Sequence, residues 1–176
     1  MSIDDLMQRF CEAQRLPAAY IPLAKQWYLP LADILATHQS GASRPVLVGI
    51  NGSQGSGKST LGGLLSSMLR DVHGLRAIDL SIDDFYLPRA QREQLAKQVH
   101  PLLATRGVPG THDIPLMRTT LETLLNGRGA CALPRFDKSL DDRRDPSAWG
   151  QVEAPVDVLI IEGWCYAVPP QPEHTL

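Results

Sequence analysis

At 176 residues the chain is long enough for one domain with a sizeable core, and its 17 basic and 19 acidic residues leave a net charge of −2. That balance offers no basic surplus for nucleic acid or an anionic membrane, and no apolar run approaches the length of a membrane span. The acidic amino terminus lacks the apolar region of a signal peptide, and the isolated Cys11, Cys131 and Cys165 make neither a zinc pattern nor a disulfide framework, which suits a reducing, cytoplasmic setting.

The first forty residues read as helical. Ser2 or Asp4 caps a first helix carrying Leu6, Met7, Phe10 and Cys11, ended by Leu16-Pro17. A second helix is predicted from Ile21-Pro22 to about Gln39, with Leu23, Trp27, Leu31, Ile34 and Leu35 on one side and Pro30 kinking or splitting it. Trp27 and Tyr28 read as core or rim. The segment has no catalytic pattern and is expected to be a packing appendage, joined on by the linker Ser40-Gly41-Ala42-Ser43.

Pro45 to Ile50 then reads as a short buried strand, followed by Gly52-Ser53-Gln54-Gly55-Ser56-Gly57-Lys58-Ser59-Thr60. This run fits the spacing of a phosphate-binding loop, G-x-x-x-x-G-K-[ST]. Glycines let successive N–H groups turn inward onto phosphate oxygens, and the following helix adds the positive end of its dipole. Lys58 then reaches the outer phosphates, and the Ser59 hydroxyl meets Mg²⁺. Leu61, Leu64, Leu65, Met68, Leu69 and Val72 recur at helical spacing, and His73-Gly74 stops that helix.

Ala77 to Ile82 reads as a second strand ending in Asp83-Asp84-Phe85-Tyr86. Carboxylates at the carboxyl end of a parallel strand face the crevice where α/β folds bind ligands, so Asp83 or Asp84 is a candidate base or magnesium group. Arg89 to about Leu103 is predicted as a solvated helix over the site. The turn-rich loop Arg106 to Asp113 precedes a helix from about Leu116 to Leu125, with Pro115 in its first turn and Gly127 as its stop. Within that loop Arg106, His112 and Asp113 are candidates to touch a substrate. Asp113 reads equally as a helix cap, and His112 as a structural side chain.

Ala130 to Leu133 is a short candidate strand, and the mixed charges of Asp141 to Asp145 read as a solvated surface loop with weak ion pairs. The run Val156-Asp157-Val158-Leu159-Ile160-Ile161-Glu162-Gly163 marks a central parallel strand buried on both faces. Glu162 at its end is the Walker-B carboxylate, serving Mg²⁺ or its water shell. The fold class expected is α/β, a three-layer α/β/α P-loop NTPase-type fold with a mostly parallel sheet.

Taken together, Gly55-Ser56-Gly57-Lys58-Ser59-Thr60, Ser81-Ile82-Asp83-Asp84-Phe85-Tyr86, Arg106 to Asp113, Pro134-Arg135-Phe136-Asp137-Lys138-Ser139 and Glu162-Gly163-Trp164-Cys165 resemble plant-type D-glycerate 3-kinase and its bacterial and fungal kinase-like relatives. The wider group is that of the P-loop kinases related to uridine kinase, phosphoribulokinase and pantothenate kinase. The resemblance implies ATP, Mg²⁺ and phosphorylation of a small hydroxylated acceptor, with glycerate the named candidate. By position Asp83 matches the family's base, with Asp84 the alternative. Arg106, Arg135 and Lys138 are the groups expected to hold an acidic acceptor.

Two features depart from that pattern. The kinases continue after the Walker-B strand with further strands and a lid helix, whereas Trp164 to Leu176 is Pro-rich and polar and supplies neither. The expected organisation is therefore a helical appendage over residues 1–42 and a P-loop kinase domain over 43–176 whose sheet is truncated after the Walker-B strand. The family's strand order puts the Walker-B strand between strands two and one, leaving the outer edge of Val46 to Ile50 open for self-association. Two other classes compete with the kinase: a nucleotide-binding module without useful catalysis, and a P-loop ATPase or GTPase switch acting on a partner. The second lacks a guanine-specifying N-K-x-D.

Overall fold

The computed structural model describes residues 2–166 and 169. The expectation that the Pro-rich tail forms neither strand nor lid falls mostly outside those residues.

Helix α1 spans Ile3–Gln14 and is capped by Ser2, whose hydroxyl accepts from the Asp5 N–H while the Asp5 carboxylate accepts from the Ser2 N–H. Helix α2 spans Tyr20–Ser40 and runs unbroken through Pro30. It is not split because Pro30 lies on the exposed side, where the carbonyl deprived of a donor meets water. The apolar side expected for α2 is also corrected. Leu23, Trp27 and Ile34 are 44%, 62% and 63% exposed, whereas Ala24 and Ala32 are fully buried, with Ile21, Tyr28, Leu31 and Leu35 packed beside them. Two alanines eight residues apart let the helix approach its neighbours closely, and that closeness outweighs the larger side chains in choosing the face.

Strand β1 (Val46–Asn51), helix α3 (Lys58–Asp71), strand β2 (Ala77–Ser81) and a 3₁₀ turn (Ile82–Phe85) follow, then helix α4 (Arg89–Gln98) and a second 3₁₀ turn (Pro101–Ala104). Helix α5 (Ile114–Asn126) leads into β3 (Gly129–Leu133), β4 (Phe136–Asp137), β5 (Asp142–Arg143), β6 (Gly150–Ala154) and β7 (Val158–Gly163). The central sheet is parallel with order β1-β7-β2, as expected for the Walker-B strand. Strand β7 is buried throughout, and its alternate side chains feed two cores. Val158 and Ile160 join Leu64, Leu65, Met68 and Leu69 of α3 and the inner sides of α1 and α2. Leu159 joins Leu80, Phe85, Leu124 and the β3–β6 pair. Helices thus cover both faces of the sheet, the three-layer α/β/α arrangement.

Helix α4 ends earlier than predicted, and it is not purely a solvated face. Arg92 in its middle is fully buried and donates to the carbonyls of Leu87, Ala104 and Asp141 at 3.1, 2.7 and 2.6 Å. Those bonds replace the guanidinium's water shell, which is how a charged group is held inside. Strand β6, pairing antiparallel with β3, had no counterpart in the predicted elements.

Candidate active site

The register of the central sheet gathers the chemistry at one edge. Asn51 is the partner of Gly163 and Ser81 of Glu162, so the loop after β1, the turn after β2 and the end of β7 converge. Gly55 and Gly57 adopt φ of 76° and 86°, the left-handed region that glycine enters without strain, and Gly57 is the residue from which α3 starts. The N–H groups opening α3 have no intrahelical acceptor, and the helix dipole adds positive potential there.

Ser59 Oγ lies 2.7 Å from Glu162 Oε1, and Lys58 Nζ is 3.8 Å from Glu162 Oε2. Glu162 is only 4% exposed, yet among the described residues its buried Oε2 has no hydrogen-bond partner. A buried carboxylate oxygen with spare capacity beside a serine hydroxyl suits Mg²⁺, a hard cation that takes one or two protein oxygens and fills its remaining positions with water and phosphate.

A cleft of about 690 Å³ opens from these groups, lined by Gln54, Gly55, Lys58, Ser59, Asp83, Tyr86, the Ala104 to Gly107 stretch, Lys138 and Asp141. The two adjacent aspartates of the turn differ in kind. Asp83 borders the cleft, with its Oδ2 2.7 Å from Lys138 Nζ. Asp84 is buried and held at both oxygens, by Arg135 at 2.7 Å and by the Phe136 N–H at 3.1 Å. Burial raises the Asp84 carboxyl above its usual range despite those bonds. Tyr86 is buried beside Asp83, and burial, then the Asp83 charge, raises its phenol, which stays protonated as a donor. His112 stacks on Tyr86 with ring centroids 4.4 Å apart, and burial lowers its imidazole pKa against the opposing pull of Asp83.

The other residues singled out from the sequence divide. Arg106 and Lys138 border the cleft, each paired to a carboxylate: Arg106 with Asp141 and Lys138 with Asp83. Arg135 does not line the cleft; it holds Asp84. Asp113 caps α5 by accepting from the Leu116 N–H at 3.0 Å, and its other oxygen takes 2.9 Å from Arg143. Gly52 and Ser53 line a separate cavity with Gln54 and Trp164, while Ser56 and Thr60 line another on α3. The expected solvated loop at Asp141 to Asp145 is corrected. Asp141 pairs with both Arg92 and Arg106, Asp142 accepts from the Arg89 N–H that opens α4, and Arg143 is half-buried between the Tyr86 carbonyl and Asp113. Hydrogen bonds from Arg106 and Arg92 outweigh the effect of burial and lower the Asp141 carboxyl. Sequence reasoning missed Arg92, Asp141 and Arg143. Their alternating charges were visible, but pairing across 30 to 50 residues leaves no local spacing to read.

No family model matches the chain. Among curated proteins it is 36% identical over 135 residues to the uncharacterized kinase mug58 of Schizosaccharomyces pombe, an alignment covering 72% of this chain and 48% of that protein. It is 32% identical over 184 residues to the chloroplastic D-glycerate 3-kinase of Arabidopsis thaliana, covering 97% of this chain and 39% of that one. Among solved structures, the D-glycerate 3-kinase of Cryptococcus neoformans var. grubii superposes with a TM-score of 0.70 at 32% identity, over 85% of this chain and 55% of that one. The chain thus spans about half the length, or less, of these relatives.

Proposed function

Starting from a chain whose homologues in sequence and structure are P-loop kinases, we propose that it carries the phosphate-binding and proton-accepting half of an ATP-dependent small-molecule kinase, with D-glycerate or a similar hydroxy acid as acceptor. The observation that carries this reading is the single cleft joining Lys58 and Ser59, both set against Glu162, to the carboxylate of Asp83.

Loop N–H groups and Lys58 hold the phosphate chain and offset charge on the transferring phosphoryl group. Ser59 and Glu162 are the residues that would hold Mg²⁺, which when bound offsets charge on the outer phosphate oxygens. Asp83 takes the proton of the acceptor hydroxyl as its oxygen attacks the terminal phosphorus and ADP leaves. Asp84 is the weaker candidate for that task, because both its oxygens are engaged in bonds that fix the turn. Arg106 and Lys138 place two cations on the cleft wall, which fits an acceptor bearing a carboxylate.

The test is ADP release from MgATP with and without a panel of hydroxy acids, polyols and nucleosides. Release that depends on a hydroxy acid supports the proposal. Acceptor-independent turnover replaces it with an ATPase, and binding without turnover with a nucleotide-binding module. In the first case Lys58→Ala lowers the rate by about 10²–10³-fold.

A further inference from the structure

A second cavity, of about 410 Å³, borders the same loop and shares only Lys58 with the cleft. Its remaining walls come from Leu16, Tyr20 and Tyr28 of the α1–α2 corner, Ile50 and Asn51 of β1, and Thr60 and Leu61 of α3, together with residues of the loop. The two spaces differ in chemistry. The cleft is bordered by Lys58, Asp83, Arg106, Lys138 and Asp141, whereas among the described residues Lys58 is the one charged residue bordering the second cavity. Tyr20 and Tyr28 lie with ring centroids 6.2 Å apart and planes tilted by 44°, both packed against the α1–α2–α3 core that fixes them. Burial, then the neighbouring Tyr28, raises the Tyr20 phenol, so the corner stays uncharged.

A nucleoside triphosphate on this loop has a direction. Its outer phosphates lie at Lys58, Ser59 and Glu162, so the inner phosphate and the sugar leave past the next residues of α3. Those are Thr60 and Leu61, which border the second, largely uncharged cavity. An aromatic heterocycle needs this kind of surface: apolar faces and aromatic rings, with hydroxyls at the margin.

We propose that the corner between α1 and α2 is the nucleoside subsite, where Tyr20, Tyr28 and Leu61 receive the purine base of the triphosphate. The amino-terminal helices then form part of the nucleotide site as well as packing on α3. This inference rests on the kinase reading above.

The experiment compares MgATP with magnesium tripolyphosphate, which carries the phosphates and no base, by calorimetry on the 176-residue chain. The expected result is that ATP binds at least about tenfold tighter than tripolyphosphate. Tyr28→Ala then weakens ATP by about tenfold and leaves tripolyphosphate unchanged, while Lys58→Ala weakens both. Equal affinity of the unsubstituted chain for the two ligands overturns the subsite and leaves the loop reading intact, as does ATP affinity that survives both Tyr28→Ala and Tyr20→Ala. Failure to bind either ligand removes the loop reading and this inference together. Photolabelling of the unsubstituted chain with 8-azido-ATP needs no variant to fold: label between Leu16 and Tyr28 supports the subsite, and label at Trp164 or elsewhere overturns it.

Discussion

Two regions border the same cleft and handle charge in different ways. On the loop side, positive potential comes from main-chain N–H groups at the start of α3 and from Lys58, whose 3.8 Å ion pair with Glu162 leaves that carboxylate's Oε2 without a hydrogen bond among the described residues. On the side built from β4, β5 and the turn after β2, positive charge comes from side chains that are already matched: Lys138 to Asp83, Arg135 to Asp84, Arg106 to Asp141 and Arg143 to Asp113. The first region is preorganised by its backbone and gains a partner when phosphate arrives. In the second, the anionic acceptor of the proposed function would have to exchange places with a carboxylate that is already there. Affinity for the acceptor is therefore a difference between two sets of ion pairs, while affinity for phosphate is closer to an outright gain.

The sharpest way to separate the two aspartates is to neutralise each. Asp83→Asn is expected to lower kcat by about 10²–10⁴-fold with ATP affinity retained, as for loss of a general base. Asp84→Asn acts through stability instead, because it disturbs the buried bonds to Arg135 and Phe136. Equal kcat losses with unchanged stability would break the contrast.

Next in size is Arg92→Ala. Losing three carbonyl partners and Asp141 from a fully buried guanidinium is expected to cost about 3 kcal/mol, read from urea midpoints. A change within about 0.5 kcal/mol would show that the matched wall does not depend on this internal brace.

Arg106→Ala is expected to raise the acceptor KM by about 10–100-fold at nearly constant kcat. If Arg106→Ala and Lys138→Ala both leave that KM unchanged, the wall has no part in holding the acceptor.

The smallest effect concerns His112, whose pKa in the folded chain lies below its ordinary 6.5 because of burial. The unfolded chain then takes up more protons near that pH. Stability from the neutral imidazole is complete above about pH 6.5 and is lost as pH falls through the lower folded value. His112→Phe is expected to flatten the decline in stability between pH 7 and pH 5 by about 1 kcal/mol or less, measured as the shift in urea midpoint. An unchanged slope would detach His112 from the Tyr86 stack as a titrating element.

Legibility in the sequence followed the range of the interactions. The loop, β1, β2, β7 and their order were readable because glycine spacing, β-branched runs and strand-end carboxylates are local signals. The face of α2 was misjudged because Ala24 and Ala32 are weakly hydrophobic by type and decisive by size. Arg92 gave no sign, since one arginine in a polar helix looks like its solvated neighbours until three carbonyls surround it. Strand β6 was obscured by glutamine and glutamate at its outward positions. Asp83, Glu162, Ser59 and Lys58 stand out in the sequence by motif, whereas the pairing of Lys138 and Arg135 with the two aspartates of the turn is set by the fold.

Gly163 has a role beyond ending β7. A methyl group there would come within 2.4 Å of Ile82 Cδ1, so the Ile82 side chain, just before Asp83, is seated directly against the bare backbone just after Glu162. The spacing between the carboxylate assigned to the cation and the one assigned to the proton is thereby set by one isoleucine side chain packed against a glycine. Loops of the acceptor wall are free to diverge, and with them the molecules accepted, while that internal gauge keeps its length.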